Sequence, residues 1–467
     1  MHLGGQIMIL NKKQLVGNGV TDHAKKVRRD LVAVLENVLA AIDPFSLTKN
    51  NLTLQGNRLT VANELKLDLS RYRNIYVLGA GKAVYKMALA VERLLTSRIT
   101  SGWINIPALP EKNELRRIRV NLARHPRPNA AGARGSKQIR SILEKAGKDD
   151  LVIAVISGGG SALMPLPADG ITLSEKVQLT SLFLKSAASI HEINVVRKHM
   201  SGIKGGQFAR YAYPATLVAL YVSDIIDDPF DIQASGPTAP DPSTFSDAIE
   251  ILKKFGIWNS APSSIRTRFL LGAKGSIPET PKSHDEVFRK GKVHNFTIAN
   301  HNTACEASAE AGKKLGYHIL PLTSSIQGEA REVAKVIISI GKQVQRYGKP
   351  LTKPALIIAG GETPVNVRGK GMGGRMQELA LAGLLHIKNG MTLAAFATDG
   401  VDGMTPKPMA GALVDMDSKE RGQKMGLDVQ KYLTDNNSYA YFHQVGDHII
   451  TGPTGTNVAD LTLLAVY

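Results

Sequence analysis

Six apolar residues, Leu151-Val152-Ile153-Ala154-Val155-Ile156, run without a polar break into Ser157-Gly158-Gly159-Gly160-Ser161. An uninterrupted, partly β-branched run of this length reads as a parallel strand buried on both faces. Three glycines at its end free the backbone to curl with φ > 0. Successive N–H groups can then point into one concavity, and the serine hydroxyls add donors. Such a cradle suits an anion, phosphate above all; the plain alternative is a flexible strand-to-helix turn.

The pattern recurs along the chain. The run 75–78 passes into Gly79-Ala80-Gly81-Lys82 and a helical pattern over 83–95, and the run 215–222 ends at Ser223-Asp224. Farther on, 355–359 meets Gly360-Gly361-Glu362-Thr363, and 392–397 meets Thr398-Asp399-Gly400-Val401-Asp402-Gly403. Strands alternating with helices predict parallel sheets covered on both faces, with ligands gathered at the carboxyl ends of the strands. The segments 79–82, 157–161 and 223–228 all fall there.

At 467 residues the chain exceeds one ordinary core, and two domains are expected. Residues 1–21 read as a loose leader. A helix over 23–41, with Leu31, Val34, Leu35, Val38 and Leu39 on one stripe, stops at Asp43-Pro44. The weakly alternating stretch 51–63 suits a small hairpin. The reading divides the chain into a Rossmann-like α/β domain over 1–240, a Pro-, Ser- and charge-rich connector over 241–292, and a second α/β domain over 293–467. That second domain begins with a strand at 293–299 and ends with one at 461–466. Each domain is expected to hold a mostly parallel sheet flanked by helices, with the active site in the cleft between them.

Fifty-eight Lys and Arg against 40 Asp and Glu give a net charge of +18, a field that favours anionic partners. The basic residues are scattered and no basic-aromatic signature accompanies them, so small phosphorylated or carboxylated molecules are expected rather than nucleic acid. Cys305 is the single cysteine, which excludes an intrachain disulfide framework and a cysteine metal cluster. No uncharged apolar run reaches membrane-spanning length and the start lacks the order of a secretory signal, so no membrane partner and a cytoplasmic location are expected. Self-association into a homo-oligomer stays open.

Among residues that could carry chemistry, Lys82 falls in the first turn of a helix after a tight turn, where a phosphate gains from the helix dipole, the free N–H groups and the ammonium. Asp224, at a strand end, could accept a hydroxyl proton or, with Asp228, hold magnesium. Arg375 opens a helix after a glycine-dense loop, and its planar fork suits a carboxylate or phosphate. Asp399 and Asp402 could ligate a cation or simply form turns. Arg197 and Lys198 are either anion contacts or part of a plain basic helical face.

Taken together the motifs resemble the glycerate 2-kinase family, the MOFRL-type, class II glycerate kinases. The resemblance rests on LGAGKA (78–83), HPRP (125–128), SGGGSAL (157–163), VRKHMSGIKGG (196–206), SD (223–224) and ASGPT (234–238). It continues through GGET (360–363), GGRMQELAL (373–381), TDGVDG (398–403) and TGPTGTNVADL (451–461). It implies ATP-dependent phosphorylation of D-glycerate at its 2-hydroxyl, a magnesium requirement and two α/β domains. It further implies catalytic roles for Lys82, Asp224 and Arg375. Substrate or nucleotide contacts would come from Gly79, Gly81, the 157–161 loop (Ser157, Gly158, Gly159, Gly160, Ser161), Arg197, Lys198, Glu362, Thr363, Asp399 and Asp402. The chain departs from the family's pattern at Asn129, Asp227, Met376 and Ala459 and in the loop 406–409.

A nicotinamide-dependent hydroxypyruvate or glycerate reductase would use similar sheets and glycine loops. The fingerprint it needs, G-x-G-x-x-G with an acid about 20 residues on, is missing, since Val84 stands at the third glycine position. A non-catalytic nucleic-acid-binding protein is suggested by charge alone.

Overall fold

The structure is a computed structural model that describes residues 8–183, 186, 188–290 and 292–467. It forms two compact units: Pro44–Ile298 makes the first, and the residues up to Asp43 together with Ala299–Tyr467 make the second.

The first unit opens with an antiparallel meander, β1 (Leu52–Gln55), β2 (Arg58–Val61) and β3 (Leu65–Asp68). Its main sheet holds β4 (Asn74–Ala80), β5 (Ser101–Ile106), β6 (Ile118–Leu122), β7 (Asp150–Ser157), β8 (Thr216–Val222) and β9 (Val293–Ala299). The spatial order is β6-β5-β4-β7-β8-β9, and the pairings β4–β5, β5–β6, β4–β7 and β7–β8 are parallel. Counted along this sheet, that is the doubly-wound order 3-2-1-4-5-6. Every residue of β7 and β8 is buried, as expected of strands covered on both faces. The strand at 293–299, expected to start the second domain, is instead the sixth strand of this sheet.

The stretch read as a connector, expected to carry one helical stretch near 247–255, holds that helix and a second one and is packed. Helices Phe245–Lys254 and Ser263–Ala273 bury Phe245, Leu252, Ile265 and Phe269 against Leu179, Phe183, Val196 and Met200. Only Ile265 and Phe269, one turn apart, and the half-exposed flanks mark the second helix, too few apolar positions for periodicity to reveal it.

The second unit's sheet consists of β10 (His318–Gln327), β11 (Ala355–Glu362), β12 (Met391–Ala397), β13 (Gly411–Val414), β14 (His448–Ile449) and β15 (Asp460–Val466). The order is β10-β11-β15-β12-β13-β14. One pairing, β10–β11, is parallel and the other four are antiparallel. The unit is α/β as expected, but its sheet is mixed. β10, β11, β12 and β14 share a direction, and the C-terminal β15 enters between β11 and β12 against them. A strand buried on both faces is apolar throughout whichever way it runs, so sequence pattern carries no sign of its direction. Cys305 is buried beside this sheet, where burial pushes its thiol up to about 12.

The described part of the expected leader is ordered. Helix Lys12–Gly17 buries Leu15, and Asn11 exchanges hydrogen bonds with His448 and Ile450. The next helix, Asp22–Ala41, is capped by Thr21, whose Oγ1 accepts from the Ala24 N–H at 3.1 Å. It also carries Arg28, 0% exposed. All five guanidinium N–H groups are used: on Asp415 (2.6 and 2.7 Å), Asp447 (2.9 Å), the Leu15 carbonyl (2.9 Å) and Ser418 Oγ (2.8 Å). Truncating such a cation strands two buried carboxylates, at a cost of about 3–5 kcal/mol. Arg28→Ala should therefore lose about that much stability in urea unfolding monitored on the second unit; a loss under 1 kcal/mol would contradict the assignment.

Candidate active site

In a doubly-wound sheet the ligand crevice lies where the strand order reverses, here between β4 and β7. The loops leaving these strands are locked together. The Lys82 N–H donates to the Gly158 carbonyl at 3.0 Å, and the Ala83 N–H donates to Ser157 Oγ at 3.0 Å. A side chain at Gly79 or Gly81 would prevent this: a Cβ would stand 1.8 Å from the Val155 carbonyl oxygen or 2.1 Å from Ser157 Oγ. Gly79 and Gly81 thus serve the approach of one loop to the other.

Beyond Ser157 the chain turns through Gly159 at φ +82° into the short helix Gly160–Leu163. Two neighbours crowd this turn. A Cβ on Gly158 would lie 2.3 Å from Asp224 Oδ2, and one on Gly159 would lie 3.0 Å from His125 Cδ2 and 3.4 Å from Lys82 Cγ. Lys82, Asp224 and the 157–161 loop, separated by up to 142 positions, therefore converge as expected. His125 joins them; its motif was noted in the sequence, but nothing in the motif assigned it to the loop's face.

Ser157, Gly158, Gly159, Ser161 and Asp224 line a cavity together with Asn194 and Arg197 of helix Ile190–His199 and with Gln233, Ala234 and Ser235, whereas Lys82 and His125 flank the loop without lining it. The wall they complete is strained: Asp227, Asp228, Ala234 and Ser235 have φ of +63°, +51°, +50° and +62°. Non-glycine residues held there cost on the order of 1–3 kcal/mol each and persist where surroundings hold them. Here Ser235 Oγ donates to Asn194 Oδ1 at 2.9 Å and pairs with Ser161 Oγ at 3.0 Å. Lys198 secures the same segment. It is buried and ion-paired to Asp231 and Asp241, each at 3.2 Å, so the sequence's pairing of Lys198 with Arg197 as anion contacts separates: Lys198 holds the loop and does not line the cavity.

Two more lysines lie behind the cradle. Lys204 Nζ donates to the Ser161 and Met164 carbonyls at 2.9 and 3.2 Å, and Lys176 Nζ donates to the Leu166 carbonyl at 3.1 Å. Burial, with Lys176 and Arg197 nearby, pushes Lys204 well below the usual lysine range, and burial brings Lys176 down to about 7. Among the described residues no carboxylate acts on these lysines or on Arg197, so burial favours the neutral amine at Lys176 and Lys204.

The second unit gathers the remaining candidates around Arg375. This residue opens helix Arg375–His386 and pairs with Asp460 (Nε to Oδ2, 3.0 Å; Nη2 to Oδ1, 3.2 Å) and, through Nη1, with Glu362. Nη1 and Nη2 each give one N–H to these carboxylates, whereas the Nε–Oδ2 approach is an ion-pair contact without a hydrogen bond, so three of the five N–H groups remain for a ligand. Asp402 is a helix cap: its carboxylate accepts from the Met376 and Gln377 N–H groups at 3.0 and 2.8 Å and from Gln377 Nε2 at 3.0 Å. That accounts for its burial without a cation. Asp399 accepts from the Val401 N–H at 3.0 Å in a local turn. Thr363 is buried, and its Oγ1 has no hydrogen-bond partner among the described residues.

Asp460 was missed as a site residue, although an acid opening an apolar strand at the level of Gly360-Gly361 was a usable signal. Burial, with Asp402, Glu362 and Asp399 adding to it, pushes its carboxyl up to about 8 despite Arg375. A carboxyl raised in the folded state stabilises the fold fully below its unfolded value, near 4, and loses that contribution as pH rises through about 8. Asp460→Asn should flatten the fall of stability between pH 5 and 8 by up to one proton's slope, about 1.4 kcal/mol per pH unit. Urea midpoints measured across that range would check this, and parallel profiles for the two proteins would contradict it.

Among the described residues no group of three or more His, Cys, Asp or Glu side chains could hold a metal ion, and no single helix is long and apolar enough to cross a membrane.

Comparison with known proteins matches residues 30–270 to a domain of unknown function (DUF4147) and residues 355–460 to the MOFRL family. The chain is 37% identical to the glycerate 2-kinase of Pyrococcus horikoshii, over 95% of this chain and 98% of that one. It is 38% identical to the D-glycerate 2-kinase of Thermotoga maritima, over 85% and 91%. A putative hydroxypyruvate reductase of Agrobacterium vitis is 39% identical, over 84% and 86%. The crystal structure of glycerate kinase from Thermotoga maritima superposes with a TM-score of 0.83 at 35% identity, covering 95% of this chain and 100% of the other. With its two-part architecture, its convergent first-unit loops and relatives spanning nearly its whole length, the chain belongs to the glycerate kinase family.

Proposed function

We propose that the chain transfers the γ-phosphoryl group of ATP to the 2-hydroxyl of D-glycerate, giving 2-phosphoglycerate and ADP. The observation that carries this reading is the cavity at the β4–β7 switch point. It combines a glycine cradle, a carboxylate lying against that cradle and an arginine paired with no described residue. Phosphoryl transfer asks for little covalent chemistry from a protein and much positioning and charge neutralisation. The backbone N–H groups of 157–161 and the ammonium of Lys82 hold phosphate. Asp224 receives the proton of the hydroxyl that attacks, a task suited to a carboxylate at a strand end. Arg375, with the N–H groups that Asp460 and Glu362 leave to it, adds neutralising charge.

Magnesium fits this arrangement. It binds proteins through one or two carboxylates plus phosphate and water rather than in a cage, and the Asp224 carboxylate lies directly on the cradle. Asp224, with Asp228, would hold it, and when bound it offsets charge on the phosphate oxygens. The reductase reading has less support. At the end of β5, where a dinucleotide fold keeps an acid, Asn105 donates to the Leu163 and Gly132 carbonyls at 2.8 and 3.3 Å. The partners on this reading are D-glycerate and ATP, in the cytoplasm, with no nucleic acid or membrane involved.

ADP release with a panel of small hydroxyacids, run beside hydroxypyruvate-dependent NADH oxidation, separates the two chemistries. The expected result is ADP release with D-glycerate and no NADH oxidation; the reverse pattern would replace this proposal. Asp224→Asn should keep the fold, being nearly isosteric, and lose about 10²–10⁴-fold in kcat. A folded variant with full turnover at saturating magnesium would remove Asp224 from its role.

A further inference from the structure

We infer that Arg197 is the anchor for the substrate's carboxylate, and that it thereby confines the reaction to short 2-hydroxy acids; this rests on the proposed phosphorylation of D-glycerate. Arg197 lies in the switch-point cavity with Ser157, Gly158, Ser161, Asn194 and Asp224. It forms no hydrogen bond or ion pair with any described residue. Its described surroundings only desolvate it, and no carboxylate among them acts on it. An unpaired, half-buried guanidinium is costly to keep, and a ligand carboxylate would relieve that cost with two parallel hydrogen bonds.

The other cations of the protein's two sites are committed. Lys198 is ion-paired with Asp231 and Asp241, Lys204 and Lys176 are tied to carbonyl oxygens, and Arg375 is held by Asp460 and Glu362. Lys82 lies ahead of helix Val84–Leu95 and its N-cap Ala83, outside the first turn expected of it from sequence. The choice between carboxylate and phosphate at Arg197 follows from its neighbours. Asn194 lies one helical turn before it, and Ser235 occupies the Asn194 Oδ1. The Asn194 amide N–H groups are bonded to no described residue, so they add neutral donors beside a single positive charge. That set matches a monoanion better than a phosphate dianion. Ile190, Val222, Ile225 and Ile232 supply an apolar wall for a short carbon skeleton. With the carboxylate on Arg197 and Asp224 lining the same cavity, the hydroxyl on the adjacent carbon is the one kept near the base.

The test is equilibrium titration of full-length wild type, Arg197→Ala and Arg197→Lys with D-glycerate and, separately, with a non-hydrolysable ATP analogue. Arg197→Ala should weaken D-glycerate at least a hundredfold and leave the nucleotide within threefold. Arg197→Lys should recover only part, because an ammonium cannot reproduce the fork. The neutral analogue D-glyceramide supplies a readout that mere structural damage would not move: wild type should prefer D-glycerate strongly, and Arg197→Ala should erase the preference. If the nucleotide is weakened instead, Arg197 holds phosphate and the inference is overturned. Unchanged D-glycerate affinity overturns it as well. Should Arg197→Ala fail to fold, Arg197→Lys and Arg197→Gln decide by the same preference. A wild-type protein that binds D-glycerate without releasing ADP would overturn the proposed reaction while leaving the titrations to judge Arg197.

Discussion

The parallel pairing of β4 with β7 governs the first unit's chemistry. Its register, Asn74 opposite Asp150 through Ala80 opposite Ile156, ends both strands at one level. Two loops therefore leave the sheet side by side, and only chain without side chains can fill the space between them. With Gly79 against Val155 and Gly81 against Ser157, the loops close to hydrogen-bonding distance, and Lys82 is delivered to the face of the 157–161 cradle. The third contributor, Asp224, arrives from β8, the next strand over, whose pairing with β7 is also parallel. Three loops at one edge of one sheet supply anion donors, a cation and a carboxylate, which is the minimum phosphoryl transfer requires.

The electrostatics of the two units differ in kind. Behind the first unit's cradle, Lys176, Lys204 and Arg197 are buried or half-buried together with no acid among the described residues to balance them. Among the described residues, Lys176 and Lys204 are met by carbonyl oxygens and Arg197 by no hydrogen bond or ion pair. In the second unit the imbalance has the opposite sign: Asp460, Glu362, Asp402 and Asp399 surround one arginine. Asp402 is spent on the N-terminus of the helix that begins with Arg375, so the cap and the cation are set by one local structure. A formal charge of +18 describes neither place; what matters chemically is where charge is left unmatched.

Much of this was legible in the sequence because it depends on local rules. The buried strands declared themselves by unbroken apolar runs, and the 79–82 and 157–161 loops by glycine directly after such runs. What was not legible depends on partners distant in the chain. Strand direction in the second sheet is invisible when both faces are covered. The helical stretch near 247–255 was legible but the helix Ser263–Ala273 was not, and which unit β9 and these helices join depends on contacts no periodicity encodes. Lys198 and Arg197 are adjacent and chemically alike, yet one is consumed by Asp231 and Asp241 and the other is left over. Asp402 looked like a ligand because an Asp-Gly turn and a helix cap share the same residue types.

The central claim is that this cavity orients glycerate so that its secondary hydroxyl, not the less hindered primary one, meets the phosphoryl group, an outcome that only fixed geometry can impose. The identity of the product tests it most directly. Incubation with ATP, magnesium and D-glycerate, followed by enolase alone, should yield phosphoenolpyruvate, as 2-phosphoglycerate requires. If phosphoenolpyruvate forms only once phosphoglycerate mutase is added as well, the product is the 3-phosphate, and the orientation argued for this site is wrong.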